Sequence, residues 1–290
     1  MENAAQEISC PVCTKKQGTH LWEKGEYRIA RCAFCRTLFV ENPHQDTSFV
    51  YDEGYFFGGE GRGGYVSYDA EKDAMRSTFE RALTIIEKHQ KKGELFDIGA
   101  ATGYFLDVAR TRGWKVRGID ISAAAAAEAL KKGIEVKAGT LGTVSYSPDS
   151  FDAVTMFDVI EHVADPSQML KQTSEILKAG GVVFGSTPDS LSVNARISGK
   201  GWHMLFPPEH LVLMNAKSLR ILFEREGYEV LWMGRLTKWF TPQYILQTAS
   251  RWLGWKFLGS LAAVVQKTPL SRLPIPLDLR DNLFFLARKK

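Results

Sequence analysis

The 290-residue sequence lacks several features that would place it in a specialised class of protein. It has no run of about 18 apolar residues, so we expect no membrane-spanning helix. Residues 1–9 contain two glutamates and no apolar segment, so we expect no secretory signal and a cytoplasmic protein. Only four cysteines are present, too few for a disulfide-stabilised miniprotein. The composition, 44% hydrophobic and 24% charged, is typical of a soluble globular protein with one large core or two domains.

Charge is distributed unevenly along the chain. The net charge is +4, but residues 235–290 contain ten Lys and Arg against two Asp and Glu. The remaining residues are therefore mildly acidic. The basic segment indicates either a well-solvated surface, which we favour, or contact with an anionic partner.

The four cysteines form two Cys-x-x-Cys pairs, Cys10 with Cys13 and Cys32 with Cys35. Each pair can present two thiolates from one tight turn, and two such turns complete a tetrahedral Cys₄ zinc site. Four free cysteines or a redox pair explain the pattern less well, because no cysteine is left over and neither pair lies at a strand-to-helix turn. We therefore predict a zinc ribbon in residues 1–45, with a structural Zn²⁺ because no coordination position is left open.

Short apolar runs alternate with segments of helical periodicity from residue 93 onward. We predict strands at residues 95–98, 116–119, 134–136, 153–157, 182–185, 228–233 and 282–287. Helices are predicted at residues 69–92, 103–112, 166–177 and 216–226, and another follows Ser122. This alternation predicts an α/β fold: a Rossmann-like, seven-stranded, mostly parallel sheet with helices on both faces.

The most informative segment is the glycine-containing turn between Asp97 and Gly103, where the first of these strands passes into a helix. Glycine lets a ligand approach the backbone closely, and free N–H groups at the start of the helix favour an anionic group. Asp120 ends the next strand, where a carboxylate can accept both hydroxyls of a ribose. The turn lacks the G-x-G-x-x-G pattern of dinucleotide-binding proteins.

These elements resemble the class I S-adenosylmethionine (SAM)-dependent methyltransferases. Further matching segments are residues 151–154, 156–163, 177–181, 207–211 and 219–223. The resemblance covers roughly residues 93–234 and the last strand. It implies a SAM cofactor and a methyl-transfer activity.

For the methionine end of SAM, the resemblance implies contacts with the glycine-containing turn. Asp97 would orient the turn and the methionine amino group, while Gly99, Ala101 and Gly103 would cradle the methionine. Many relatives have a third glycine at the position of Ala101, so this alanine narrows the turn slightly.

For the nucleoside end, the resemblance implies that Asp120 holds the ribose and that Ile121 lies beside the adenine. Thr140 and Leu141 would flank the other edge of the adenine. A carboxylate often stands at the position of Thr140, so the adenine contacts would come from the backbone.

On the methyl-transfer side, the resemblance implies Phe157 and Asp158 as lining residues. A hydroxyl acceptor must lose a proton during the transfer, and His210, His162 and His203 are the candidate bases. His162 follows the fourth strand, but we favour a structural role for it. His203 and His210 lie in a loop expected to overhang the acceptor.

The domain plan has five parts. They are a zinc ribbon (1–45), an aromatic and glycine-rich segment with a leading helix (46–92), a SAM-binding core (93–235), a helical apolar and basic insertion (236–280) and the last core strand (281–290). Residues 51–68 serve either as an aromatic lid over the sulfonium or as packing between the ribbon and the core. For the insertion we favour core packing or a homodimer contact over peripheral contact with the inner face of the membrane. A further alternative is that it lines an apolar acceptor pocket.

The layout is similar to that of bacterial methyltransferases that modify sugars, polysaccharide precursors, quinone-like rings or other small metabolites. We therefore expect a small-molecule, sugar or lipid-linked acceptor, with O-methylation favoured over C- or N-methylation. Two alternatives stay open: an RNA methyltransferase and a non-catalytic SAM-binding scaffold protein. Residues 1–45 contain six basic and five acidic groups, which disfavours a nucleic-acid partner.

Overall fold

The computed structural model describes residues 7–43, 73–277 and 280–290. Thirteen strands lie within these residues: β1 (Gly18–Lys24), β2 (Tyr27–Cys32), β3 (Leu38–Val40), β4 (Glu94–Ile98), β5 (Lys115–Asp120), β6 (Val136–Ala138), β7 (Phe151–Phe157), β8 (Leu177–Pro188), β9 (Val212–Leu213), β10 (Tyr228–Gly234), β11 (Lys238–Phe240), β12 (Ile275–Leu277) and β13 (Asn282–Lys289). The helices of the same residues are α1 (Arg76–His89), α2 (Tyr104–Thr111), α3 (Ala123–Lys131), α4 (Pro166–Ile176), α5 (Val193–Ser198), α6 (Ala216–Arg225), α7 (Pro242–Leu253) and α8 (Lys256–Gln266).

A seven-stranded sheet forms the centre of the molecule, in the order β10-β13-β8-β7-β4-β5-β6. Within it, β8, β7, β4, β5 and β6 pair in parallel, and β13 pairs antiparallel with both β10 and β8. The predicted fold class is therefore confirmed. The carboxyl ends of the parallel strands meet at one edge, where α/β sheets bind their ligands.

Helices cover both faces of this sheet, because the central strands are apolar on both sides. Phe96, Val154 and Val183 in β4, β7 and β8 are fully buried in one side of the core, and Leu95 and Phe184 in the other. Continuous apolar strands of this kind are typical of buried parallel sheets.

The cysteine-rich unit, residues 7–43, forms a small antiparallel sheet, which is completed by one strand from the core. Strands β1, β2 and β3 pair in sequence, and β9, from the connection between β8 and α6, adds to the edge at β3. The partners are Leu38 with Leu213 and Phe39 with Val212. A two-residue strand has no periodicity, so the sequence did not predict this link.

The segment between β10 and β13 contains the predicted helix pair, α7 and α8, and a two-stranded ribbon of β11 and β12. The outer face of α8 does not pack on the core: Phe257, Leu261 and Val264 are exposed, and so is the preceding Trp255. The homodimer contact, the other role we favoured, stays a prediction. None of the described helices is long and apolar enough to cross a membrane. The proposed lid, residues 51–68, lies outside the described residues.

Candidate active site

The turn after β4 has an alternating backbone conformation. Gly99, Ala101 and Gly103 have φ values of 75°, 48° and 77°, in the left-handed region. Such alternation turns successive N–H groups toward one concave surface, a geometry that suits an anionic group. The positive φ of Ala101 also explains a preference for glycine at this position.

Asp97 is buried at the end of β4, beside this turn. Thr155 of β7 donates a hydrogen bond of 2.6 Å from its hydroxyl to Asp97 Oδ1. The two residues are partners in the β4–β7 pairing, so the sheet itself aligns them. Thr155 was not predicted from the sequence; its position on the strand next to Asp97 is the signal that could have found it.

Asp120 fixes the turn from the neighbouring strand. The backbone N–H of Ala101 donates to its Oδ2 at 2.7 Å, and that of Ser122 to its Oδ1 at 2.8 Å. Burial raises the pKa of Asp120, and these two N–H donors partly offset the effect. A carboxylate oxygen accepts two hydrogen bonds, so each keeps capacity for a ribose hydroxyl. Ile121, beside it, is 40% exposed and offers an apolar surface to a base.

Thr140 and Leu141 follow β6 and lie close to Asp120, whose carbonyl accepts from the N–H of Gly139 at 2.8 Å. The N–H of Thr140 donates to the Thr143 hydroxyl at 2.8 Å. The backbone N–H of Thr140 is thus engaged within its own turn, and Leu141 is half-buried.

At the end of β7, Phe157 and Asp158 differ in surroundings. The Phe157 ring packs against Phe105, at 4.7 Å between centroids, as part of an aromatic cluster. The Asp158 carboxylate accepts from the Ser186 hydroxyl at 2.7 Å and pairs with Lys238 of β11 at 2.8 Å. The insertion therefore reaches Asp158, for which the resemblance implies a position on the methyl-transfer side.

The structure brings His162 and His210 together and separates His203 from them. The two rings lie 4.7 Å apart, and His162 Nδ1 donates to the Glu209 carbonyl at 2.8 Å. Burial, and secondarily His210, lower the pKa of His162 to about 3; burial also lowers the pKa of His210. His203 instead faces Asp281, at 3.4 Å. Both clustered rings are thus neutral near pH 7.

The four cysteines meet as the sequence predicted. Their sulfur atoms lie within 4.8 Å of one another, with Cys10 to Cys35 and Cys13 to Cys32 each at 3.5 Å. Thiolates around one tetrahedral zinc ion lie about 3.8 Å apart, so four buried sulfur atoms in this arrangement fit the metal.

Two side chains of the core also form hydrogen bonds with the backbone of the cysteine-rich unit. Asn215 donates from Nδ2 to the Cys35 carbonyl at 3.0 Å, and Lys217 donates from Nζ to the Phe34 carbonyl at 2.6 Å. Asn215 also caps α6. The unit therefore supports the chain that connects His210 to α6.

Comparison with known proteins agrees with this geometry. A family described as "Methyltransferase domain" matches residues 68–232. A probable SAM-dependent methyltransferase of Mycolicibacterium smegmatis is 28% identical over 139 residues, 47% of this chain and 52% of the relative. A ubiquinone biosynthesis O-methyltransferase of Aeromonas salmonicida is 34% identical over 109 residues, 33% of this chain and 46% of the relative. The chain thus spans about half the length of the curated relatives it matches.

Solved structures share the fold at low identity. The MccD protein has a TM-score of 0.52 and 14% identity, over 73% of this chain and 96% of its own. A protein of Bacillus halodurans assigned as a methyltransferase has a TM-score of 0.51 and 16% identity, over 73% and 99%.

The sheet order, the turn after β4 and the two strand-end aspartates together define the class of SAM-dependent methyltransferases. Since the family match extends over more than half of the sequence, the chain belongs to the methyltransferase-domain family.

Proposed function

We propose that this protein is a SAM-dependent methyltransferase that methylates an oxygen atom of a small-molecule, sugar or lipid-linked acceptor. The observation that carries this proposal is a group of polar side chains beyond β7: the buried Glu161 and the partly buried Asp158, His162 and His210. In an α/β sheet the acceptor lies at this edge, beside the cofactor turn. The name of the Aeromonas salmonicida relative, an O-methyltransferase, supports oxygen as the target.

SAM supplies a methyl group on a sulfonium, so the protein mainly binds and aligns the two reactants. Asp97 and the turn at residues 99–103 would hold the methionine end. Asp120 would accept the ribose hydroxyls, and Ile121 would contact the adenine. Since Asp120 also fastens the N–H of Ala101, the two ends of the cofactor site are coupled through one carboxylate.

A hydroxyl acceptor requires removal of a proton, and in this proposal His210 would accept it. Its Nδ1 donates to the Met204 carbonyl at 2.5 Å, which leaves the ring lone pair on Nε2. Burial keeps the ring neutral and able to accept a proton, although the lowered pKa weakens it as a base.

The cysteine-rich unit, in this proposal, holds Zn²⁺ and acts as an internal brace. Its outer strand β3 is covered by β9, and its side-chain contacts lead to α6. These contacts support a structural role over RNA binding, for which phosphate-tracking basic residues would be needed.

For the exposed face of α8 we propose an anionic lipid surface as the partner, which suits a lipid-linked acceptor. Trp255 and Phe257 are typical of the membrane interface, and Lys256 and Lys267, at the two ends of α8, are exposed. The excess of basic residues after residue 235 complements anionic lipid and repels a second copy of the same face. Homodimerisation through 236–280 is the alternative outcome of the vesicle test described in the Discussion.

The target atom can be tested with SAM carrying a ¹³C-labelled methyl group. Purified protein is incubated with a metabolite and lipid extract, and the products are read by ¹³C NMR, where O-, N- and C-methyl carbons resonate in separate regions. We expect an O-methyl signal that is absent with the Asp120→Ala protein. An N- or C-methyl signal would contradict oxygen as the target, and no enzyme-dependent signal would favour a non-catalytic SAM-binding protein.

A further inference from the structure

Three side chains beyond β7 have the composition of a metal site that is separate from the cysteine cluster. Glu161 and His162 lie in the short 3₁₀ turn at Ile160–His162, and His210 comes from the connection before β9. One ligand atom from each of the three lies within 4.8 Å of the others. Two imidazoles and one carboxylate are a ligand set that zinc and other first-row divalent cations use.

Both histidines are oriented by the backbone. His162 Nδ1 donates to the Glu209 carbonyl and His210 Nδ1 to the Met204 carbonyl. Since a carbonyl only accepts, Nδ1 of His210 carries the hydrogen and its lone pair lies on Nε2. The His162 ring also contacts the Asp158 carbonyl. Metal-binding histidines are commonly held in this way by a carbonyl or a carboxylate on the other ring nitrogen.

The buried carboxylate of Glu161 indicates a bound cation. Its side chain is fully buried, and neither carboxylate oxygen has a hydrogen-bond partner among the described residues. The Thr187 hydroxyl beside it has no hydrogen-bond partner either, and Asp158 lies close enough to repel a negative charge on Glu161. A buried carboxylate without partners is costly unless a proton or a cation compensates it.

We propose that Glu161, His162 and His210 bind a divalent first-row transition-metal cation such as Zn²⁺ or Co²⁺. Ligand bonds to such an ion are about 2.0–2.2 Å long, which places the ligand atoms of a tetrahedral site about 3.3–3.6 Å apart. The three ligand atoms lie within 4.8 Å of one another, so binding draws them together by at most about 1.5 Å. Asp158 lies near the same three residues, but its carboxylate is already held by Ser186 and Lys238. We therefore place it outside the coordination sphere of the cation.

The site has a consequence for the acceptor, which rests on the proposed O-methylation. Three protein ligands leave coordination positions open, and a cation there lowers the pKa of a coordinated hydroxyl. With His210 bound to the cation, the acceptor hydroxyl would release its proton to solvent, a route that replaces proton acceptance by His210. Its oxygen would then form the bond to the methyl carbon as the carbon–sulfur bond breaks, giving the methyl ether and S-adenosylhomocysteine. This arrangement favours acceptors with two adjacent oxygen donors, such as a catechol or a vicinal diol.

The test is a Co²⁺ titration of protein whose cysteine site has first been filled with Zn²⁺. Binding is followed by visible absorption and by metal analysis after desalting. Nitrogen and oxygen ligands give weak d–d bands, whereas thiolates add strong charge-transfer absorption. We expect one further equivalent of cobalt without charge-transfer absorption. Glu161→Gln and His210→Asn should each weaken this binding by at least about tenfold while the zinc content at the cysteines is retained.

His89→Ala, on the exposed end of α1, is the matched control and should bind cobalt like the natural protein. If Glu161→Gln fails to fold, His210→Asn alone decides the matter. Absence of the second equivalent, or unchanged binding in both variants, would overturn the site. Because this readout needs neither SAM nor acceptor, cobalt binding without O-methylation would contradict only the proposed function, and O-methylation without cobalt binding only the metal site.

Discussion

Phe39 of the cysteine-rich unit pairs with Val212 of the core, two residues beyond His210. The predicted zinc site and the proposed acceptor side are therefore joined by backbone hydrogen bonds, while the turn proposed to bind SAM follows β4 of the other sheet. Loss of zinc should consequently disturb methyl transfer more than SAM binding.

Cys32→Ser tests this coupling. We expect the zinc content to fall by about one atom per chain, the melting temperature to fall, and the transfer rate to fall by a larger factor than SAM affinity, because the brace under β9 is weakened. Metal analysis, calorimetry and kinetics measure the three effects, and Lys16→Ser, an exposed change between the cysteine pairs, should alter none of them. A stably folded Cys32→Ser protein with unchanged zinc content would contradict the predicted Cys₄ zinc site.

Much of this fold could be predicted from the sequence, because its central strands are short apolar runs bounded by turn residues. The capping of α3 by Ser122, whose hydroxyl accepts from the Ala125 N–H at 3.3 Å, follows from the same local rules. The glycine-containing turn and the cysteine pairs could also be predicted, since each is a local pattern with a chemical purpose. The order of the sheet required the family resemblance.

The rest depends on contacts between distant residues. His162 and Glu209 are 47 positions apart, and no periodicity indicates that the connection after β8 returns to the end of β7. The pairing of Thr155 with Asp97 spans 58 positions and needs the strand order. The sequence could not show whether the core or a second copy covers the apolar face of α8, because an amphipathic pattern shows that a face is apolar but not what covers it.

Asp120→Ala should weaken SAM binding by more than about tenfold without unfolding the protein, because it removes the ribose acceptor and the anchor of the Ala101 N–H. Burial raises the pKa of Asp120, so protonation begins at a higher pH than for a free aspartate. Since only the carboxylate accepts both hydroxyls, SAM affinity of the natural protein should fall as the pH is lowered from 7 to 5. Calorimetric titration measures both effects, with Asp107→Ala on α2 as the control. Unchanged affinity in Asp120→Ala would remove the ribose assignment.

Thr155→Val tests the support of Asp97 by replacing a hydroxyl with a methyl group of similar size. The lost hydrogen bond is worth about 1 kcal/mol, so we expect SAM to bind about fivefold more weakly. Thr155→Ser keeps the hydroxyl and should bind SAM within about twofold of the natural protein. Equal affinities for the valine and serine variants would show that Asp97 does not need this contact.

His210→Ala should lower the turnover by about a hundredfold and change SAM affinity by less than about threefold, since the ring lies on the acceptor side. Single-turnover kinetics and SAM titration separate these quantities. His89→Ala provides the comparison, because its side chain is exposed at the end of α1. A normal rate in His210→Ala would exclude both a proton-accepting and a metal-binding role in turnover.

Phe257→Glu tests the lipid surface proposed for α8, where Phe257 is 63% exposed. We expect the natural protein to sediment with vesicles of anionic lipid. The variant should partition at least about tenfold less, because an aromatic ring that would insert into the lipid is replaced by a charge that anionic lipid repels. Leu130→Glu, at an exposed apolar residue of α3, should bind vesicles normally. No vesicle binding, with a dimer that Phe257→Glu dissociates, would show that a second copy covers this face instead.

The most direct test of the central claim uses SAM with a radiolabelled methyl group, purified protein and fractionated extract of the source cell. The products are separated by size and solubility before and after nuclease digestion. We predict enzyme-dependent label in nuclease-resistant small molecules or lipid, which would also identify the fraction that contains the acceptor. Label confined to large, nuclease-sensitive material would contradict the proposed acceptor class and make the cysteine-rich unit an RNA contact.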